Sequence, residues 1–210
     1  MKPIKQYFFD FGGVLVDLDF NKSIEAFRKL GAIAPDSFYS EIYNKTLRDF
    51  ENGMIGEKEF FEKLRVLLKI KASDREIRKA WNMIIRTIPK YKLAILQKLK
   101  NSFPVYMVSN TNITHIEYTR TYLFRENGYT IDDYFDKLYF SYEVGASKPD
   151  SDFYRRVIAD AGIDPSESLF LDDRTDNIDG ARHAGFQVCH VRPEDDLREK
   201  LFPFLKEFSL

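Results

Sequence analysis

One pattern constrains this chain more than any other: short apolar runs recur along it, and each breaks abruptly into polar, turn-forming residues. The run from Ile4 to Phe9 stops at Asp10-Phe11-Gly12-Gly13, which reads as a buried parallel strand ending in a glycine turn. Three later segments read alike: Pro104 to Val108 before Ser109-Asn110, Leu138 to Phe140 before Ser141, and Leu169 to Leu171 before Asp172-Asp173. Gln187 to Val191 is a fifth, and helix-like stretches lie between the runs. Strands alternating with helices predict an α/β fold, a parallel sheet joined by right-handed crossovers. Ligands of such sheets bind beyond the carboxyl ends of the strands, where these polar residues would gather.

One crossover is too long for a single helix. Between Asp17 and Pro89 the sequence is charged, aromatic-rich and helical in period, and it contains no convincing strand. We therefore expect a core of residues 1–16 and 89–210 and a helical cap of residues 17–88. In the cap, Asn21 is expected to cap the first helix, Pro35-Asp36 to open the second and Asn52-Gly53 to end it. Ser73 and Glu76 have capping-box spacing ahead of a helix expected to hold Trp81 and Ile85. A further helix is expected from near Thr114, and a last one from about Glu194, interrupted by Pro203.

Composition narrows the partners. With 32 basic and 33 acidic residues the chain carries a net charge of -1, so no overall field draws it to nucleic acid or to an anionic membrane. A small ligand is the expected partner, and a chain of 210 residues with 44% apolar content should fold alone, with a monomer favoured. The single cysteine, Cys189, excludes an intrachain disulfide and suits a reducing cytoplasm. The first apolar stretch is short and interrupted by Asp10, unlike a signal peptide or a spanning helix.

Four strand ends carry the candidate chemistry. Asp10, followed by two glycines that let backbone and ligand come close, could present a carboxylate to phosphorus. Ser109-Asn110-Thr111-Asn112 offers hydroxyl, amide and backbone N–H groups ahead of a helix, a cradle for phosphate oxygens. Lys148 stands before Pro149, which restrains it, and an ammonium there would neutralise both a phosphate and the attacking carboxylate. Asp172-Asp173 ends the fourth strand. Adjacent strand residues point oppositely, so one acid aims at the site and the other orients the loop. Acids clustered around Asp10 would repel, and Mg2+, a hard cation that prefers oxygen ligands, resolves that repulsion. Taken singly, each segment reads first as an ordinary turn, cap or surface lysine; only convergence makes a site.

In order and spacing, Asp10-Phe11-Gly12-Gly13-Val14, Ser109-Asn110, Lys148-Pro149 and Asp172-Asp173 resemble the four motifs of haloacid dehalogenase-like hydrolases. Val16-Asp17-Leu18-Asp19-Phe20-Asn21, Ser109-Asn110-Thr111-Asn112 with His115, and Asp172-Asp173 with Asp176-Asn177-Ile178 resemble bacterial sugar phosphatases of the alpha-glucose-1-phosphate phosphatase type. The resemblance implies a Rossmann-like sheet with an alpha-helical cap, and magnesium-dependent hydrolysis of a small phosphate ester, such as a sugar-1-phosphate, through an aspartyl-phosphate. It implies Asp10 as nucleophile and metal ligand, Ser109, Asn110 and Lys148 on the phosphoryl group, and Asp173 with the Gly12 carbonyl on the metal. Asp172 and Asn177 take supporting places behind the ligands.

One position departs from the pattern. Phosphatases of this superfamily carry a second aspartate two residues after the nucleophile, as acid for the leaving alcohol and base for water, and Gly12 occupies that position. An anomeric hydroxyl leaves more readily than a simple alcohol, which makes sugar-1-phosphates suitable substrates. Water or a lid residue could substitute, with Asp17 and His115 as candidates. Two other readings stand beside this one: a metal-free 2-haloacid dehalogenase, which needs no acid, and a catalytically silent relative that binds a phosphorylated ligand.

Overall fold

The computed structural model describes residues 2–33, 45–125 and 128–205. Five parallel strands form one sheet: β1 (Gln6–Phe9), β2 (Val105–Ser109), β3 (Lys137–Phe140), β4 (Ser168–Asp172) and β5 (Gln187–His190), in the order β3-β2-β1-β4-β5. β1 is central because it is buried along its whole length. Its side chains alternate between the faces: Tyr7 and Phe9 join one apolar cluster with Val105, Met107, Leu169 and Leu171, while Phe8 joins another with Val108 and Phe170. Burial on both faces is why these runs are continuously apolar. The strand order reverses beside β1, so the ends of β1, β2 and β4 open onto a common crevice.

Among the described residues, four helices lie between β1 and Pro89: α1 (Phe20–Lys29), α2 (Thr46–Glu51), α3 (Glu57–Leu68) and α4 (Asp74–Asn82). Phe27, Leu47, Phe50, Phe60, Phe61, Leu64 and Trp81 form their own apolar cluster, with Phe50 stacked on Phe60 at 4.2 Å between ring centres. Two chain passages join this cluster to the sheet, bridged antiparallel at Leu18 and Ile85, where Asp19 N donates to Ile84 O (2.8 Å) and Arg86 N to Asp17 O (3.0 Å).

Local expectations meet three corrections here. The cap of α1 is Asp19, whose carboxylate accepts from Lys22 N at 3.2 Å, so the helix starts ahead of Asn21. Ile85 lies beyond the end of α4 in the bridge to Leu18, although the Ser73–Glu76 capping box that opens α4 is present. The last α-helix among the described residues, after α5 (Lys90–Lys100), α6 (Ile113–Tyr122), α7 (Ile131–Tyr134), α8 (Ser141–Val144), α9 (Ser151–Ala161) and α10 (Thr175–His183), is α11 (Leu197–Leu201). It starts after its Asp196 cap rather than at Glu194, and Pro203 falls in the 3-10 turn that follows. Asn52-Gly53 does end α2, whereas Pro35-Asp36 lies outside the described residues.

Candidate active site

Asp10, at the end of β1, is held by its backbone N–H donating to Leu171 O of the neighbouring strand at 2.8 Å. Lys148 Nζ reaches the same point from the loop between α8 and α9. It donates to Asp10 Oδ1 at 2.8 Å, to Asp172 Oδ2 at 2.6 Å and to the Val108 carbonyl at 3.1 Å. All three donors of a buried ammonium are thus used, on the ends of β1, β4 and β2. Its position is set by Asn110, whose amide spans the lysine backbone: Lys148 N donates to Asn110 Oδ1 (2.9 Å) and Asn110 Nδ2 to Lys148 O (2.7 Å). Asn110, expected on a phosphoryl group, therefore spends its amide chiefly on the loop, while Ser109 beside it lines the cavity.

The two acids of β4 differ. Asp172 is fully buried and both its oxygens are taken, Oδ2 by Lys148 and Oδ1 by Asn177 Nδ2 (2.9 Å) and Arg174 N (3.0 Å). Asp173 leans over Gly13 so closely that a Cβ there would stand 2.4 Å from Asp173 Oδ2. Only a residue without a side chain, at a φ of +78°, lets that carboxylate come in. Oxygens of Asp10, Asp172 and Asp173 lie within 4.8 Å of one another. Burial pushes the Asp10 carboxyl up to about 7; Lys148 opposes this, and Asp172 and Asp173 add to it. Burial also lowers Lys148, but Asp10 and Asp172 outweigh it and hold the ammonium charged. One buried ammonium, with Arg174 acting on Asp173 from the cavity wall, leaves the three clustered acids an excess of negative charge that a hard divalent ion would balance.

These groups line a cavity of about 730 Å³ whose opposite wall is the cap. Leu47, Arg48, Glu51 and Asn52, at helical spacing on one side of α2, face it, together with Leu18 and Arg174. The end of α2 is seated on the core, since Gly53 (φ +69°) passes where a Cβ would be 2.4 Å from the Tyr142 carbonyl. Thr114 Oγ1 donates to Glu57 Oε1 (2.8 Å), and Trp81 stacks on His115 with ring centres 5.1 Å apart.

That stack removes His115 from the candidate acids. Burial drives its imidazole down to about 4, Asn112 caps its helix through His115 N, and it does not line the cavity. Asp17 is exposed and likewise absent from the cavity wall; its backbone serves the passage into the cap. At Gly12 the space for a side chain is taken by Leu18, whose Cδ1 would meet an added Cβ at 2.9 Å. Glu51 and Arg48 carried no signal in the sequence, and Asn52 only that of a helix end, because charged residues on a short amphipathic helix look like any solvated face.

The family profile described as haloacid dehalogenase-like hydrolase matches residues 4–185. The chain belongs to that family. A D-ribitol-5-phosphate phosphatase of Bacteroides thetaiotaomicron is 34% identical over 200 residues, covering 94% of this chain and 97% of that enzyme. A haloacid dehalogenase family enzyme from the same organism, solved in complex with magnesium and inorganic phosphate, superimposes with a TM-score of 0.87 at 34% identity over 93% of this chain and 98% of its own. A protein of Porphyromonas gingivalis described as a predicted HAD-like family hydrolase gives 0.88 at 27% identity, over 99% and 100% of the two chains. This hydrolase thus sits among the family's phosphatases in sequence and in fold.

Proposed function

We propose that this hydrolase is a magnesium-dependent phosphatase acting on a small sugar or polyol phosphate through an aspartyl-phosphate intermediate. The observation that carries the reading is the pairing of buried Asp10 with Lys148 beside Asp173, in a cavity roofed by polar residues of α2. The metal fits the donor set. Asp172 is committed to Lys148, Asn177 and Arg174, which leaves Asp10 and Asp173, with the Gly12 carbonyl, as the oxygens to hold the ion. When bound, magnesium supplies charge neutralisation for the phosphate and lets an anionic nucleophile approach it.

The protein's own groups do the rest. Asp10 attacks phosphorus in line, Ser109 holds phosphoryl oxygens, Lys148, whose three donors are already engaged, stabilises the phosphoryl group through its charge, and Asn110 keeps Lys148 in place. Asp172 and Asn177 fix the loop behind the metal-binding carboxylate. Residues 17–88 form the cap that shuts over the non-reacting part of the substrate and excludes water. The single free, buried cysteine and the absence, among the described residues, of a helix long and apolar enough to cross a membrane fit action on a small metabolite in the cytoplasm.

The likeness to a D-ribitol-5-phosphate phosphatase favours a primary phosphate ester as much as an anomeric one. A phosphate-release screen over sugar-1-phosphates, terminal sugar and polyol phosphates and nucleotides, with and without magnesium, tests the reading, with Asp10→Asn as control. We expect release only with magnesium and only with Asp10. Chloride release from 2-haloacids without metal would overturn it, but an alkyl halide gives three clustered acids no purpose.

A further inference from the structure

The proposed cycle lacks a proton donor and acceptor. A primary alcohol cannot leave readily as the alkoxide, and water attacks an acyl-phosphate slowly unless a base takes its proton. Gly12 offers neither, Leu18 covers the space beside it, and His115 and Asp17 stand outside the cavity. Among the described residues, what remains is a short set of acids on the cavity wall. Asp10 and Asp173 are occupied as nucleophile and metal ligand. Asp176 is paired with Arg174 at 2.7 Å, and Asp150 is exposed at the start of α9.

Glu51 is different. It lies on the cap wall of the cavity, on the same helix face as Arg48 and Asn52, and α2 is fixed at that end by the approach of Gly53 to Tyr142. Lys148, the nearby base on the core side, is saturated by its own three acceptors and does not compete for the carboxylate.

We propose that Glu51 is the general acid and base of this enzyme, placed on the cap where relatives of the resembled pattern carry an aspartate two residues after the nucleophile. The inference rests on the aspartyl-phosphate reading above. In the first half, Asp10 attacks phosphorus and the bond from phosphorus to the alkyl oxygen breaks. The electron pair stays on that oxygen, which takes the proton of Glu51 and departs as the alcohol. In the second half, water attacks phosphorus and gives a proton to the Glu51 carboxylate. The bond from phosphorus to Asp10 breaks, returning the carboxylate, inorganic phosphate and protonated Glu51.

The electrostatics suit both halves. Burial lifts the Glu51 carboxyl to about 7, opposed by the positive charge of Arg174, although part of the residue still meets solvent. A group near the working pH serves as donor and as acceptor with little loss in either role. Cap closure then governs chemistry as well as access, because the acid arrives with the lid.

The test separates leaving groups. With magnesium, the wild type, Glu51→Gln, Glu51→Asp and Asp10→Asn are compared on 4-nitrophenyl phosphate, whose phenolate leaves without a proton. They are also compared on D-ribitol 5-phosphate, or on another primary ester if the screen above ranks it higher. We expect Glu51→Gln to lower kcat/KM on the primary ester about 10²–10⁴-fold. On the aryl ester it should keep a near wild-type burst of nitrophenolate, then stall because water lacks its base. Glu51→Asp should recover part of the loss together with the alkaline fall in the pH–rate profile. Equal losses of kcat/KM on both esters, a lost nitrophenolate burst, or undiminished turnover of the primary ester by Glu51→Gln would overturn the assignment. Phosphate release by Asp10→Asn at the wild-type rate would instead overturn the underlying cycle, whatever Glu51 does.

Discussion

The side-chain amide of Asn110 clamps the backbone of Lys148 from both sides, accepting from its N–H at 2.9 Å and donating to its carbonyl at 2.7 Å. Two loops 38 residues apart in the chain are thereby locked with the ammonium aimed at Asp10. Asn110→Ala removes both bonds and leaves two backbone groups to find other partners, at a cost of roughly 1–3 kcal/mol. A misplaced lysine should depress kcat more than it raises KM. Steady-state kinetics beside a urea titration check this, and an effect confined to KM would show that Asn110 acts on substrate alone.

Among the described residues, Lys148 is itself the sole cation ion-paired with Asp10 and Asp172 in a buried cluster. Lys148→Met leaves those carboxylates without their partner, and breaking a buried pair from one side costs roughly 3–5 kcal/mol. We expect a large fall in the urea midpoint when magnesium is chelated, a smaller one when it is present, and no phosphate release in either condition. Denaturation curves with and without chelator decide it; equal midpoints to the wild type would mean that the cluster is not held by this charge.

Gly13 sits at a φ of +78° with Asp173 against its Cα. An alanine there meets two obstacles, the left-handed backbone and a carboxylate 2.4 Å from the new Cβ. Gly13→Ala should therefore push Asp173 aside and weaken the metal site before it unfolds the chain. Because an ion bound to the folded state raises stability with its concentration, the magnesium-dependent rise in Tm should shrink or vanish in the variant. A rise equal to that of the wild type would place the metal elsewhere.

How much of this was legible in the residues follows from what each signal depends on. The sheet was readable because strands buried on both faces must be apolar throughout, and Tyr7-Phe8-Phe9 and Leu169-Phe170-Leu171 carry that in plain order. The strand-end residues were readable because topology alone brings them together. Other features were decided by tertiary packing. Asp19 rather than Asn21 caps α1 because the bridge between Leu18 and Ile85 fixes where the helix can begin. His115 looked available beside the phosphate loop, yet Trp81, 34 residues earlier, covers it. Glu51 was invisible for the complementary reason: its place on the cavity wall depends on how a separate helical cluster seats on Tyr142, and no local pattern encodes that contact.

The raised Glu51 carboxyl has a consequence for stability that needs no substrate. An unperturbed glutamate titrates at 4.5, whereas burial holds the folded one near 7. Between those values the folded chain keeps a proton that the unfolded chain releases, so this group's contribution is most favourable below about 4.5 and is lost as pH rises to about 7. Glu51→Gln cannot ionise and should escape that loss. Variant and wild type should therefore differ least near pH 4.5, with the balance moving in favour of the variant up to about pH 7 and staying constant above it. Urea midpoints measured across that range in chelator, which removes any metal effect on the neighbouring acids, give the difference directly. Parallel pH dependences of the two proteins would mean that Glu51 titrates as an ordinary surface carboxyl, which would deprive it of the poise that proton transfer at neutral pH requires.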